Sequence, residues 1–196
     1  QHSKNLSKFN LKISIPNKIK FLIRNIKIPI IGIHNIRNAT AAFSVTYLMG
    51  ISTKVIKKGL SNYKGVQRRF NYLFNFNNSL FFDDYAHHPT EIKEVIDSVK
   101  NVYQGKKIIC IFQPHRISRL KSLKKDFSSS FKKADKVILC PVYRAGEKIN
   151  LGFEYTNFAK NIIKNSNVEL ILVKNEIELS KYVKRNIYGK NIVIGM

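Results

Sequence analysis

Three short segments of this chain concentrate side chains that bind anions and move protons. Residues 84–91 contain Asp84, His87, His88 and Glu91; residues 113–119 contain Gln113, His115, Arg116 and Arg119; residues 141–147 contain Tyr143, Arg144 and Glu147. Together they hold three of the five histidines. Arg116 and Arg119 stand three residues apart. On a helix that spacing places both guanidinium groups on one face, able to hold a carboxylate or a phosphate through paired hydrogen bonds. A solvated basic face is the plain alternative. Pro89 suits the first turn of a helix, where its missing N–H costs nothing. His87 and His88 therefore lie beside a helix N-terminus, whose partial positive charge favours anions. Either Asp84 or His88 can cap that helix. Two adjacent histidines cannot both do so, which leaves His87 for function. Gly146 and Glu147 after Tyr143 read equally well as a simple turn.

The elements that must position these residues follow from hydrophobic periodicity. From residue 79 onward, short apolar runs at 80–83, 107–112, 136–140, 168–173 and 191–195 alternate with amphipathic stretches. Ile92, Val95, Ile96, Val99, Val102 and Tyr103 make one helical face, and Leu120, Leu123, Phe127 and Phe131 make another. Helices are also expected around 158–163 and 177–187. Strands alternating with helices of this length imply parallel pairing through right-handed crossovers, so residues 79–196 are expected to form a Rossmann-like open, mainly parallel α/β sheet. Ligands of such sheets bind in the crevice beyond the carboxyl ends of the strands, where the three polar segments fall. Upstream, Ile-rich runs at 11–15 and 26–31, punctuated by Pro16, Asn17 and Pro29, predict two paired strands. A helix over 36–49 with Gly50 as its stop follows, then a shorter one after Ser52 that ends near Leu60.

Composition narrows the class. At 44% hydrophobic residues the chain is globular, and no apolar run approaches the roughly 20 residues of a membrane span. The first residues, 1–9, are polar and basic without the apolar core of a secretory signal, so the cytoplasm is the expected compartment. Cys110 and Cys140 each sit in a strand-like run without a second ligand at metal spacing, and are expected to be buried packing residues. The net charge of +23 raises the question of a nucleic-acid partner. The lysines, however, are spread over every segment instead of alternating with aromatics in one patch, and a small polyanionic substrate is equally compatible with them.

The segments FFDDYAHHPTEI (81–92), IFQPHRISR (111–119) and VYRAGE (142–147) together resemble the C-terminal domain of the Mur ligases. GIHNIRNATAA (32–42) and GVQRRF (65–70) resemble the end of the central ATP-binding domain of the same family, in the same order and spacing. DDYAHHPTE is similar to the branch that joins L-alanine to UDP-N-acetylmuramate and to a relative that recycles the murein tripeptide; FQPHR favours the former. The resemblance implies residues 1–75 as a truncated end of the central α/β domain and 76–196 as the C-terminal domain. It implies ATP and Mg2+ as cofactors and an acyl-phosphate route from muramoyl carboxylate to amide. It places His34, Asn35 and Asn38 at the adenine, Arg69 near the ATP phosphates and Asp84 at the ribose hydroxyls. His87, Arg116 and Arg119 fall around the incoming alanine and the acyl end. Asn offers the paired donor and acceptor that adenine presents in complement; Asn38 has the alternative of a helix-terminal role.

No glycine-rich loop ending in Gly-Lys-Ser/Thr occurs in the chain, nor does the family's magnesium-binding glutamate block or its N-terminal UDP-binding domain. The chain opens at Gln1 and stops at Met196 directly after a strand. It is therefore expected to be a piece of a longer ligase, inactive alone and binding ATP weakly or not at all. The recycling ligase and a basic nucleic-acid-binding domain are the alternatives, and oligomeric state is not legible. Every version of the ligase reading requires Asp84, His87, Arg116 and Arg119 to share one cleft.

Overall fold

The computed structural model describes residues 6–14, 20–147 and 154–196. The chain forms two compact units, Gln1–Val66 and Gln67–Met196.

In the first unit, β1 (Ser7–Ser14) pairs antiparallel with β2 (Lys20–Ile28), with an irregular register between Phe9 and Leu11. Ile15, Pro16 and Asn17, expected at the end of the first strand, lie outside the described residues. Gly32 then turns the chain at φ 105, and its carbonyl accepts from Asn35 N–H and Ile36 N–H. This starts α1 (Ile33–Leu48) about a turn earlier than the sequence pattern indicated. The helix stops at Gly50, whose φ of 86 lets Gly50 and Ile51 donate back to Tyr47 and Thr46. After it comes α2 (Thr53–Ser61). Ile23, Ile26, Phe43 and Ile56 form the core of this unit. Arg37 is the one charged residue of α1, which buries Ala39 and Phe43 yet exposes Ile33, Val45 and Leu48 on its other side.

The second unit is a six-stranded sheet in the order β3-β4-β8-β5-β6-β7. Its strands are β3 (Asn71–Phe76), β4 (Ser79–Asp83), β5 (Lys107–Phe112), β6 (Lys136–Leu139), β7 (Glu169–Leu172) and β8 (Asn191–Gly195). All neighbours are parallel except β3 with β4. Connecting them are α3 (Pro89–Val102), α4 (Ile117–Ser122), α5 (Lys124–Ser129), α6 (Tyr155–Ser166) and α7 (Glu176–Asn186). The expected open, mainly parallel α/β sheet is thus present.

In the first unit the strand expected at 26–31 lies earlier, at Lys20–Ile28, and in the second, two details differ from the sequence reading. The pattern from Leu120 to Phe131 reads as one helix but forms α4 and α5, with a break at Leu123 (φ −113, ψ 26). Strand β3 was not anticipated, and a division at 75/76 falls inside it. Residues 71–76 are hydrogen-bonded along β4 through a two-residue turn, Asn77-Asn78, so they belong to the second sheet; the chain passes between units at Val66 and Gln67.

β8 lies at the centre of the sheet. Ile192, Val193 and Ile194 are fully buried, as an unbroken apolar run covered on both faces must be. Its end stitches the neighbouring strands together. Gly195 O accepts from Asp84 N–H at 2.8 Å, and Met196 O accepts from Gln113 N–H at 2.8 Å. Cys110 and Cys140 are buried free thiols as expected, and burial pushes Cys140 up to about 11 and Cys110 higher. Neither is a nucleophile at neutral pH.

Candidate functional site

The loops after β4, β5 and β6 all leave the carboxyl edge of the sheet, so parallel pairing alone brings the three polar segments to one side. In the first loop, His88 is the N-cap of α3. Its Nδ1 accepts from Thr90 N–H at 3.3 Å, while Glu91 Oε2 accepts from His88 N–H at 3.3 Å and His87 N–H at 3.1 Å. The capping role therefore falls to His88, and His87 is left to face its neighbours. The His87 Nδ1 lies 2.7 Å from Tyr85 O and 3.7 Å from the Glu91 carboxylate, and its ring meets Tyr85 edge-on at 4.8 Å.

In the second loop, Pro114 and His115 lead to Arg116, which caps α4 at φ 69, ψ 125. Arg116 is thus outside the helix, and the one-face argument from helical spacing does not apply to the Arg116/Arg119 pair. The two are gathered by the third loop instead. Arg116 N–H donates to Tyr143 O at 2.9 Å and Tyr143 N–H donates to Pro114 O at 2.8 Å. Glu147 accepts from Ser118 N–H at 3.1 Å and from the Ser118 hydroxyl. Gly146 and Glu147 therefore do more than turn the chain: the glutamate fastens the β6 loop to the start of α4. Ser118 holds the Glu147 carboxyl below its usual range.

His115, not singled out by the sequence pattern, sits among the others. Its ring is 6.1 Å from that of His87 and 5.1 Å from that of Tyr143. Burial lowers its pKa, and the neighbouring Arg119, His87 and Arg116 lower it further. A neutral imidazole beside two guanidinium groups results. Nδ1 of His115 and one terminal nitrogen of Arg119 (Nη1) are sealed from solvent with no hydrogen-bond partner. Buried polar atoms normally have partners, so these two nitrogens stand out beside the exposed Arg116. His87, His115, Arg116 and Arg119 thus form one cluster.

Asp84 follows β4 at the same sheet edge, but its carboxylate contacts none of the four, so the shared cleft holds His87, Arg116 and Arg119 without it. It is 3% exposed, its Oδ2 accepts from Phe70 N–H at 2.9 Å, and its Oδ1 accepts from Ala86 N–H at 2.8 Å. Burial pushes its pKa up to about 6 against the pull of those two donors. The resemblance placed Asp84 at the ribose hydroxyls; in this structure both of its oxygens accept from backbone N–H groups. Arg69 is exposed and stands 3.8 Å from Glu91 Oε1. In the first unit, His34, Asn35 and Asn38 lie on the early part of α1. The Asn35 amide donates to Ile31 O at 2.6 Å, and Asn38 is an exposed interior residue of the helix, which removes the helix-terminal alternative. No group of three or more His, Cys, Asp or Glu able to hold a metal occurs among the described residues.

Residues 68–193 match the family described as Mur ligase, glutamate ligase domain. The chain is 58% identical over its whole length to the UDP-N-acetylmuramate–L-alanine ligase of Pelagibacter ubique, of which it spans 42%. It is 43% identical over 81% of its length to the enzyme of the same name from Rickettsia felis, covering 34% of that protein. Among solved structures, UDP-N-acetylmuramate–alanine ligase from Thermotoga maritima superimposes with a TM-score of 0.70 at 27% identity, over 87% of this chain and 36% of that one. A murein peptide ligase from Psychrobacter arcticus superimposes with a TM-score of 0.67 at 20% identity and shares the fold.

Proposed function

The chain belongs to the Mur ligase family, and from that premise we propose that it is the carboxy-terminal part of a cytoplasmic ligase that adds L-alanine to UDP-N-acetylmuramate in peptidoglycan synthesis. The single observation that carries this reading is the gathering of two guanidinium groups, Arg116 and Arg119, with the imidazoles of His87 and His115 at the strand tips. Relatives carrying the alanine-adding name at 58% and 43% identity favour it over the tripeptide-recycling alternative. α1 adds support for a larger parent, because a helix apolar on both sides belongs between two layers of a bigger domain. Accordingly, the first unit is read as the end of the ATP-binding domain and the second as the carboxy-terminal domain.

In this reading Arg119 and Arg116 grip the alanine carboxylate, which fixes the amine towards the acyl carbon and removes rotational freedom before reaction. His115, neutral between two arginines, accepts or donates a hydrogen bond there without adding a third charge. His87, held at Nδ1 near Tyr85 O, presents its other ring nitrogen to the same place. ATP supplies the phosphoryl group that activates the muramoyl carboxylate. Arg69 contributes a cation at its phosphates, while His34, Asn35 and Asn38 border the adenine. Mg2+ would be held mostly by residues outside this chain, where it would neutralise charge on the ATP phosphates.

Two measurements test the proposal. The chain alone is expected to release no phosphate from ATP with UDP-N-acetylmuramate and L-alanine. In the full-length ligase that carries it, Arg119→Ala should raise the KM for alanine by roughly 10- to 100-fold, the loss of a charge-assisted hydrogen bond of about 1.5–3 kcal/mol. An unchanged alanine KM in that variant would remove the carboxylate role.

A further inference from the structure

The loop that follows β6 holds the chain on both sides of Arg116. On one side, the bridge between His115 and Tyr143 extends the β5–β6 pairing beyond the strands, and Arg116 N–H donates to Tyr143 O at 2.9 Å. On the other, the loop reverses at 144–147. Ala145 and Gly146 hold φ 51 and 85, the paired positive values of a type I′ turn, and Glu147 N–H donates to Arg144 O at 3.1 Å. The reversal brings the Glu147 carboxylate onto Ser118, where Oε2 accepts from the backbone N–H at 3.1 Å and Oε1 from the hydroxyl. Between these two anchors stands Arg116, at φ 69 and ψ 125. A non-glycine residue keeps such a backbone only where its surroundings over-determine it, and strain of this kind collects at ligand clamps. Ile117 and Leu120 bury one side of α4, while Arg116 and Ser118 face outward. Glu147 fastens that outer side.

By itself a carboxylate is unfavourable here. Glu147 feels the charge of Arg116, and a fixed negative charge beside two guanidinium groups opposes the binding of an anion between them. Its use must therefore be structural, and Ser118 supplies one by engaging both carboxylate oxygens. We propose that Glu147 is a positioning residue for the arginine pair: its carboxylate clasps Ser118, holds the Arg116 backbone in its strained form and fixes α4, so that Arg116 and Arg119 converge before an anion arrives. The effect on catalysis rests on the reading of that anion as the alanine carboxylate; the clasp does not. Glu147 touches no substrate in this scheme. Its contribution is preorganisation, since guanidinium groups already in place lose less conformational freedom on binding.

Three substitutions separate reach from charge. Glu147→Gln keeps the reach and an oxygen for Ser118 N–H but loses the charge, Glu147→Asp keeps the charge but loses the reach, and Glu147→Ala loses both. Nitrogen-15 relaxation of residues 1–196 reads the clasp without any ligand. Backbone order parameters at Arg116, Ile117 and Ser118 should fall from about 0.85 to below about 0.6 in Glu147→Ala and Glu147→Asp, and stay at the wild-type value in Glu147→Gln. In the full-length ligase, Glu147→Ala and Glu147→Asp should raise the KM for alanine by roughly tenfold or more while the KM for ATP is unchanged. Glu147→Gln should remain within about threefold of wild type. Ser118→Ala opens the same clasp, so Glu147→Ala should raise the alanine KM less on that background than alone. Equal losses in Glu147→Gln and Glu147→Ala would mean that the charge acts directly, and order parameters indifferent to Glu147→Ala would mean that nothing is clasped; either overturns the proposal. So does an alanine KM that Arg119→Ala raises and Glu147→Ala leaves alone. If Arg119→Ala itself has no effect, the alanine reading fails by itself and the relaxation data still decide the clasp. Should Glu147→Ala not fold, Glu147→Asp against Glu147→Gln makes the same comparison.

Discussion

Asp84 is pulled in opposite directions, by burial towards the neutral acid and by the N–H groups of Ala86 and Phe70 towards the carboxylate, and burial wins. Its native pKa of about 6 exceeds the ordinary 3.8, so the folded state holds this proton more tightly than the unfolded chain does. The contribution is therefore most favourable below about pH 4 and is lost as pH rises through about 6, by an amount on the order of 3 kcal/mol. Urea unfolding of wild type and Asp84→Asn should diverge accordingly: the wild type loses stability relative to the variant between about pH 4 and 7, and parallel profiles would contradict a buried ionisable carboxyl. At this scale the sequence was informative about residue type and less so about direction. The segments DDYAHHPTE and IFQPHRISR pointed to His87, Arg116 and Arg119, which the structure brings together. They could not reveal that Asp84 faces inward, because that depends on a turn 14 residues earlier. His115 stands in the same segments, but its place beside the arginines depends on a bridge to Tyr143 in another loop, which the letters could not show.

Elements were legible wherever one face repeats. Helix α3 has apolar residues at three- and four-residue spacing with Pro89 and Glu91 in its first turn, and it forms as read. The break between α4 and α5 was not legible, since Leu120 and Phe127 are both buried on either side of it and keep the helical rhythm across Leu123. Strand β3 was missed for a different reason. As an edge strand it has exposed Tyr72, Leu73 and Phe74 in succession, so it lacks the in–out alternation that identifies a strand. The available signal was Asn77-Asn78, both at positive φ, the two-residue turn that joins antiparallel strands. The capping box of α3 yields a prediction that separates structure from chemistry at His88. His88→Ala should cost about 1 kcal/mol, within the usual 0.5–2 kcal/mol range for a lost N-cap, whereas His88→Asp should restore or exceed wild-type stability. Thermal midpoints of the two variants decide it; equal losses in both would mean the imidazole serves something other than the helix end.

Across the whole molecule the dominant quantity is charge, with 35 basic against 12 acidic residues. The described ion pairs do little to offset this excess. Most are exposed, such as Lys93 with Asp97 at 2.7 Å and Lys133 with the same carboxylate at 3.0 Å, and pairs of that kind contribute little stability. Spread over every segment, the surplus repels itself in the folded state more than in the expanded unfolded chain. Screening should therefore stabilise the protein: with a Debye length falling from about 30 Å at 0.01 M to about 10 Å at 0.1 M salt, the melting temperature should rise by several degrees between those concentrations of sodium chloride. The anion cluster adds a second, separable effect. If His115, Arg116 and Arg119 form a site shaped for a carboxylate or phosphate, sulfate should raise the melting temperature more than chloride at equal ionic strength. Sulfate also stabilises proteins by exclusion from their surface, so the difference must shrink in Arg119→Ala to be assigned to the cluster. A chloride response with no Arg119-dependent sulfate increment would leave the global repulsion intact and deny the local site.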